Sequence, residues 1–230
     1  MMIKVYTADV GALSDPARFR RVYEGVSPWR REKADRMRLE KDRRLSLGAG
    51  ALLEAALAAE GVNDFTMTTG PNEKPRLAHG AGLHFNLSHS GTKVLCAVSD
   101  HEVGCDVEQI AQADMRIARR CFCPEECAAL LRCPDEARRS VLFCRYWTLK
   151  ESFMKATGLG FRLALDQFCV TIGDGRITVR QSVDDRTYHF REFDRSDGYR
   201  YALCSVDAPA EGLALREVVL SDGLTMDQRP

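Results

Sequence analysis

The chain lacks the features that mark secreted, membrane-bound and low-complexity proteins. No apolar signal segment follows Met1-Met2-Ile3-Lys4. No stretch approaches the roughly 18 apolar residues that a transmembrane helix requires, and low-complexity tracts are missing. Since 230 residues with 45% hydrophobic content can bury a substantial core, we expect a soluble, cytoplasmic globular protein that does not bind a membrane.

Two common signatures of metal binding and hydrolysis are also absent. The nine cysteines contain no Cys-x₂-Cys pair of the kind that forms structural zinc sites, although Cys121, Cys123 and Cys127 are close in sequence. We expect reduced cysteines that hold no metal. The chain has no Gly-x-Ser-x-Gly elbow, and the adjacent Ser88 and His89 would point apart in a strand, which argues against a hydrolase triad.

An excess of charge of either sign is missing, because 33 basic residues balance 33 acidic residues. The distribution is uneven: Pro16 to Arg44 contains eleven Lys and Arg against five Asp and Glu. This segment is either a local anion site or a solvated, salt-bridged helix face. An RNA-binding module would need an aromatic stacking platform and a one-sided net charge, so we expect no nucleic-acid partner.

Capping and turn residues divide the first half of the chain. Alternation over Ile3 to Ala8 predicts a strand, and Ser14-Asp15-Pro16 and Ser27-Pro28 each predict a helix start. The second helical stretch extends from about Trp29 to Glu60, and we expect a break near Arg44. Further strands are predicted around residues 66–68, 83–88 and 94–98.

The second half repeats this order of elements. A strand over 103–107 precedes helices at about 115–120, 124–131 and 135–157, and strands follow near 168–172, 176–179, 188–193 and 199–206. The pattern predicts an α+β fold of two similar lobes, each with a small antiparallel sheet packed against helices. We place the lobes at residues 1–101 and 102–220, with a polar tail at 221–230.

Carboxylates and a lysine occur at spacings that can form one site. In a strand, Asp106 and Glu108 point to the same face. In a helix, Trp147, Glu151 and Lys155 share one stripe at i, i+4 and i+8. Three carboxylates suit Mg²⁺ and a diphosphate better than zinc or calcium. The alternatives are an exposed strand face and a solvated i, i+4 ion pair.

The segment Asn86 to Gly91 follows a predicted strand and presents hydroxyl groups, backbone amides and an imidazole. These groups could bind a phosphate. The alternative is an ordinary hairpin connection with a hydrogen-bonded histidine.

These motifs together resemble the surfactin-synthetase-type 4′-phosphopantetheinyl transferases. The resemblance rests on Asn86 to Gly91, Val103-Gly104-x-Asp106-x-Glu108 and Trp147-Thr148-x-Lys150-Glu151-Ser152. It extends to Ser27-Pro28-x-x-Arg31-Glu32-Lys33, to Asn72-Glu73-Lys74-Pro75 and to Leu165-Asp166-Gln167-Phe168. It therefore covers most of the chain.

The resemblance implies a monomeric pseudo-dimer that moves the phosphopantetheine arm of coenzyme A to a serine of an apo acyl or peptidyl carrier protein, and releases adenosine 3′,5′-bisphosphate. It implies Mg²⁺ as cofactor. The implied metal ligands are Asp106, Glu108 and Glu151; Lys155 would stabilise the breaking phosphoanhydride; and the implied coenzyme A contacts are Ser88, His89, Lys74, Arg30 and Lys33.

The sequence leaves two questions open: which residue is the general base, and whether the protein catalyses a reaction. Glu151 is the first candidate for the base, directly or through a water, and Glu126 on the preceding helix is the second. The rival function is a protein of the same fold that binds coenzyme A or a carrier protein without catalysis. The sequence does not identify the carrier protein or its pathway.

Overall fold

The chain folds into helices and several small sheets in the computed structural model, which describes residues 2–78, 82–173 and 175–220. In the first half the elements are β1 (Ile3–Asp9), α1 (Pro16–Gly25), α2 (Pro28–Asp35), α3 (Glu40–Ala59), β2 (Met67–Thr69), β3 (Pro75–Leu77), β4 (His84–Ser90) and β5 (Lys93–Ser99). The second half contains β6 (Val103–Gln109), α4 (Met115–Cys121), α5 (Pro124–Leu131), α6 (Glu136–Thr157), β7 (Cys169–Ile172), β8 (Ile177–Arg180), β9 (His189–Phe193), β10 (Tyr199–Ser205) and β11 (Leu215–Glu217). The α+β class predicted from the sequence is confirmed.

The same topology occurs in both halves. The first sheet has the order β11-β1-β5-β4 and the second has the order β6-β10-β9. In each half the first strand pairs antiparallel with a late strand, β1 with β5 and β6 with β10. The remaining strands form two-stranded pairs, β2 with β3 and β7 with β8.

Local signals explain where the early helices begin. The Asp15 side chain accepts a hydrogen bond from the Arg18 N–H (2.8 Å), and Pro16 occupies the first turn of α1. Ser27 caps α2 in the same way through the Arg30 N–H (3.4 Å). These bonds satisfy amides that have no partner within the helix, as the sequence predicted.

The predicted helix break near Arg44 is wrong, because α2 ends at Asp35 and α3 begins at Glu40. Leu39 is extended (φ −93°, ψ 136°), and Glu40 and Asp42 lie in the first turn of α3. Negative charge there is stabilised by the positive end of the helix dipole. Arg44 therefore lies inside α3.

Each long helix covers one sheet. Leu47 and Leu53 of α3 pack in a buried cluster with residues of β1 and β5, and Leu149 and Phe153 of α6 pack with residues of β10. A third buried cluster joins the two sheets and includes Val5, Leu95, Val103, Cys105, Val107, Tyr201 and Leu203. The two halves thus share apolar side chains at their junction.

Gly104 allows α6 to lie directly on β6. A Cβ at this position would be 2.0 Å from the Ser152 carbonyl oxygen and 2.4 Å from the Ala156 backbone nitrogen. Only a residue without a side chain fits this approach. The contact places the Glu151 to Lys155 segment beside the acids of β6.

The short strand β11 was missing from the sequence predictions. It pairs parallel with β1, with Val5 opposite Leu215 and Thr7 opposite Glu217, so the second half adds a strand to the first sheet. The lobe boundary near residue 101 stays a prediction. The predicted polar tail at 221–230 lies outside the described residues.

The expectation that all cysteines are reduced is wrong for one pair. Cys123 and Cys169 form a disulfide that joins the N-terminal cap of α5 to the first residue of β7, across 46 residues of sequence. Sequence spacing could not show this pairing, because the fold brings the two positions together. In the described residues, no helix is both long and apolar enough to cross a membrane.

Candidate active site

Polar side chains of β4 join the two halves edge to edge. Asn86, Ser88 and Ser90 alternate along the strand, so they point to the same side. Each accepts a hydrogen bond from a backbone N–H of β6: Asn86 Oδ1 from Cys105 (2.9 Å), Ser88 Oγ from Val107 (3.4 Å) and Ser90 Oγ from Gln109 (3.1 Å). The period of two in Asn86-Leu87-Ser88-His89-Ser90 was a signal for this role, which the sequence analysis did not recognise.

A carboxylate and a lysine form the centre of the site. Asp106 is only 3% exposed, and its Oδ1 accepts hydrogen bonds from Lys155 Nζ (2.6 Å) and Ser88 Oγ (2.7 Å). Lys155 Nζ also donates to Ser88 Oγ (3.0 Å) and to the Cys105 carbonyl (3.2 Å). Burial alone would lower the pKa of Lys155, but the Asp106 carboxylate outweighs it and the pKa lies above its ordinary value.

Two further carboxylates lie near this pair. Glu108 Oε2 accepts a hydrogen bond from Ser90 Oγ (2.6 Å). Burial, with a smaller contribution from Asp106, raises the pKa of Glu108. For Glu151, burial and the charges of Asp106 and Glu108 outweigh the opposing effect of Lys155 and raise the pKa to about 7. A carboxyl with this pKa can accept a proton near neutral pH.

The donor set fits a hard cation such as Mg²⁺. All three acids offer oxygen ligands, and Asp106 Oδ2 is a buried atom with no hydrogen-bond partner. The three carboxylates do not form one of the groups of described residues whose ligand atoms all lie within 4.8 Å of one another. Lys155 instead holds Asp106 Oδ1. The three acids are therefore close enough to affect one another's pKa, but their ligand atoms do not converge on one point.

A cleft of about 340 Å³ adjoins this centre and contains the basic residues of α2. Arg30 and Lys33 line it together with Ser46, Asn86 and His89. Burial, followed by the charge of Arg30, lowers the pKa of Lys33. Desolvation, with a contribution from Lys155, lowers the pKa of His89. Asn86 lines the cleft and lies on the same side of β4 as Ser88, which bonds Asp106, so the cleft and the acidic centre meet at β4.

Lys74, a predicted coenzyme A contact, lies where the β3 segment meets β6 and α6. Its ammonium donates to Glu102 Oε2 (2.8 Å), to the Lys155 carbonyl (2.9 Å) and to the Val103 carbonyl (3.2 Å). An ammonium has three N–H donors, and here all three are used. These bonds give Lys74 a structural role at the contact between the β3 segment, β6 and α6, and its contact with coenzyme A stays a prediction.

Glu126, the second candidate for the general base, is buried and bonded within the protein. It is 1% exposed, and Lys150 Nζ lies 2.8 Å from both of its carboxylate oxygens. Its oxygens also accept bonds from the Cys123 N–H (2.9 Å) and the Val170 N–H (2.6 Å). Because both carboxylate oxygens are already engaged within the protein, this geometry favours Glu151 over Glu126 as the candidate base.

Comparison with known proteins identifies the family of this chain. The 4′-phosphopantetheinyl transferase superfamily profile matches residues 102–204, which include β6 and α6. A 4′-phosphopantetheinyl transferase of Bacillus subtilis is 32% identical over 190 residues, covering 80% of this chain and 84% of that protein. The 4′-phosphopantetheinyl transferase psf-1 of Bacillus pumilus is 31% identical over 211 residues, covering 88% and 90%.

A solved structure, the holo-[acyl-carrier-protein] synthase of Thermotoga maritima, matches 45% of this chain and 61% of its own, with 21% identity and a TM-score of 0.39. The two Bacillus proteins, by contrast, are similar to this chain over most of their length. The chain belongs to the 4′-phosphopantetheinyl transferases. The family predicted from the sequence motifs is therefore confirmed.

Proposed function

We propose that the cleft and the acidic centre form one active site, which transfers 4′-phosphopantetheine from coenzyme A to a serine of an apo carrier protein. The observation that carries this proposal is the junction at β4. Asn86 and His89 there line a cleft with two cations, and Ser88, on the same side of the strand as Asn86, bonds the Asp106–Lys155 pair. A molecule with a phosphate at one end and a diphosphate in its middle matches these two charged regions.

In this orientation the 3′-phosphate of coenzyme A lies near Arg30 and Lys33, and the diphosphate lies near Lys155. Arg30 and Ser46 support this placement, because each has a buried polar atom without a partner at the cleft, Arg30 Nε and Ser46 Oγ. Unpartnered buried polar groups are costly, so such atoms are expected where a ligand binds.

Asp106, Glu108 and Glu151 would hold Mg²⁺. When bound, the ion would neutralise charge on the diphosphate oxygens. Its ligands would be the free Asp106 Oδ2 and oxygens of the two glutamates. The fit rests on the all-oxygen donor set.

The transfer forms a bond between the serine oxygen of the carrier protein and the phosphorus atom attached to the pantetheine arm. It breaks the bond from that phosphorus to the oxygen that leaves with adenosine 3′,5′-bisphosphate. Glu151 accepts the serine proton, directly or through a water. Lys155 stabilises the negative charge that develops on the phosphoanhydride oxygens.

The repeated topology supports two α+β lobes, residues 1–101 and 102–220, related as a pseudo-dimer within one chain, and we propose that the chain acts as a monomer. The first lobe supplies the cleft cations and the second supplies the acids and Lys155. Carrier-protein recognition is part of the proposal, and the identity of the carrier is left to experiment.

Incubation of the purified chain with coenzyme A, Mg²⁺ and an apo carrier protein tests this function. We expect the carrier to gain the mass of one phosphopantetheine group, and adenosine 3′,5′-bisphosphate to appear in equal amount. A carrier that stays in the apo form, while coenzyme A still binds, would instead identify a non-catalytic binding protein.

A further inference from the structure

Arg30 is a buried cation with unused hydrogen-bonding capacity. Its side chain is 3% exposed, its Nε has no partner, and its Nη1 makes one long bond to the Ser46 carbonyl (3.5 Å). Among the described residues, no carboxylate lies within ion-pair distance of this guanidinium. Burial lowers the pKa of Arg30, and the charge of Glu54, which acts favourably on the guanidinium, does not offset this effect. A buried charge without a direct partner is costly.

Two neighbours determine where the Arg30 side chain can lie. The Trp29 ring lies close to it, with the guanidinium carbon 4.6 Å from the ring centroid. Gly50 of α3 leaves the space that the rest of the side chain fills. A Cβ at Gly50 would be 2.0 Å from Arg30 Nε, 2.1 Å from Cδ and 2.4 Å from Cγ.

The overlap involves most of the Arg30 side chain rather than its flexible tip. A methyl group at position 50 would therefore displace the whole side chain, including the guanidinium at the cleft. Gly50 lies in the interior of the 20-residue helix α3, where glycine is less favourable than alanine. Glycine at position 50 therefore lowers the stability of α3 and leaves space for the Arg30 side chain. The helix alone does not explain why glycine occupies this position.

We propose that Gly50 is a positioning residue for coenzyme A recognition, because its missing side chain lets Arg30 lie across α3 and present its guanidinium to the 3′-phosphate. This inference rests on the proposed function, since it names the residue that sets the geometry of the 3′-phosphate contact. It makes Gly50 a determinant of the preference for coenzyme A over 3′-dephospho-coenzyme A.

Calorimetry with both nucleotides tests the proposal on four chains: the wild type, Gly50→Ala, Arg30→Ala and the double variant. We expect Gly50→Ala to weaken coenzyme A binding at least about tenfold, the order expected for one lost charge-assisted contact. Binding of 3′-dephospho-coenzyme A should change less than about twofold, because that ligand lacks the group that Arg30 contacts. The loss of coenzyme A affinity in Gly50→Ala should not be accompanied by a matching fall in its melting temperature.

The double variant separates positioning from packing. If Gly50 acts through Arg30, adding Arg30→Ala to Gly50→Ala should cause little further loss of coenzyme A affinity. Should Gly50→Ala alone fail to fold, the double variant should fold, because removal of the Arg30 side chain removes the overlap. Failure of both chains to fold would show that Gly50 serves the packing of α3 alone and would overturn the proposal.

Gly25→Ala is the matched control. Gly25 is the last residue of α1, and a Cβ there would meet no atom within 4 Å, so affinity for both nucleotides should stay unchanged. Equal weakening of both nucleotides by Gly50→Ala, or a full additional loss from Arg30→Ala in that background, would contradict the positioning role. If the wild type binds neither nucleotide and transfers nothing, the proposed function fails. If the wild type transfers normally but Gly50→Ala keeps its preference, only this inference fails.

Discussion

The two halves of the molecule have the same order of strands and helices but carry different charges at corresponding places. In the first half, the buried positions of α3 are all Ser, Gly, Ala or Leu, and the cations of the cleft lie on α2. In the second half, α6 itself carries Lys150, Glu151 and Lys155 against β6 and its surroundings. We interpret the first half as the part that binds the nucleotide and the second as the part that performs the transfer.

The difference shows that topology alone does not make the site. The first strand of the second half has Gly104, which lets α6 approach β6 so that Lys155 reaches Asp106. The polar side chains of β4 then join the two halves at this point. The proposed roles of the halves thus depend on a few side chains placed on a repeated order of strands and helices.

The largest effect is expected for Asp106→Asn in the second half. Loss of this charge removes an implied metal ligand and the partner of Lys155, so transfer should fall by about a thousandfold or more. The chain should still fold, because asparagine has nearly the same shape. Mass spectrometry of the carrier protein measures the rate, and melting curves provide the control. Transfer at the wild-type rate with saturating Mg²⁺ would remove Asp106 from the site.

Lys150→Met tests whether the buried ion pair between Lys150 and Glu126 stabilises the fold. The Lys150–Glu126 pair is 0% and 1% exposed, and removal of one partner leaves a buried charge unpaired. Unfolding in urea should show a loss of about 3 to 5 kcal/mol. The double variant Lys150→Met with Glu126→Gln should recover part of this loss. A stability change below about 1 kcal/mol would show that the pair is not structurally important.

Lys155→Ala should lower kcat by about a hundredfold and change coenzyme A affinity much less, because the charge it stabilises grows in the transition state. Steady-state kinetics with saturating Mg²⁺ separate the two parameters. An unchanged kcat, with affinity reduced in proportion to kcat/KM, would make Lys155 a phosphate anchor in the bound substrate instead.

Lys33→Met is the corresponding test in the first half. We expect about a tenfold weaker coenzyme A affinity, little change for 3′-dephospho-coenzyme A and nearly normal kcat at saturation. Lys74→Met provides the contrast, because Lys74 joins the β3 segment to β6 and α6 and does not line the cleft, so its loss should affect both nucleotides alike. A selective loss in Lys74→Met, with none in Lys33→Met, would reverse the two assignments.

The sequence predicts those parts of the fold that depend on local chemistry. Asp15 and Ser27 cap helices as expected, because their effect needs only the next few residues. The three-residue strand β11 pairs with a strand about 210 residues away, so no local pattern indicates it. The disulfide between Cys123 and Cys169 depends in the same way on tertiary packing.

The same limit applies to the candidate site. Alternation along β6 and helical spacing along α6 correctly place Asp106 beside Lys155. They do not show that Lys74 bonds three protein oxygens or that Glu126 faces Lys150, since both pairings join distant segments. A lysine or glutamate in a family motif can therefore be structural, and only its partners in the fold reveal this.

The most direct test of the division between the halves is the coupling of Mg²⁺ to coenzyme A binding. Calorimetry on the wild type and on Asp106→Asn measures coenzyme A affinity with and without Mg²⁺. If the acids of the second half hold the metal against the diphosphate, Mg²⁺ should tighten binding in the wild type by about tenfold or more and should have little effect in Asp106→Asn. Equal coupling in both chains, or none in the wild type, would contradict this assignment.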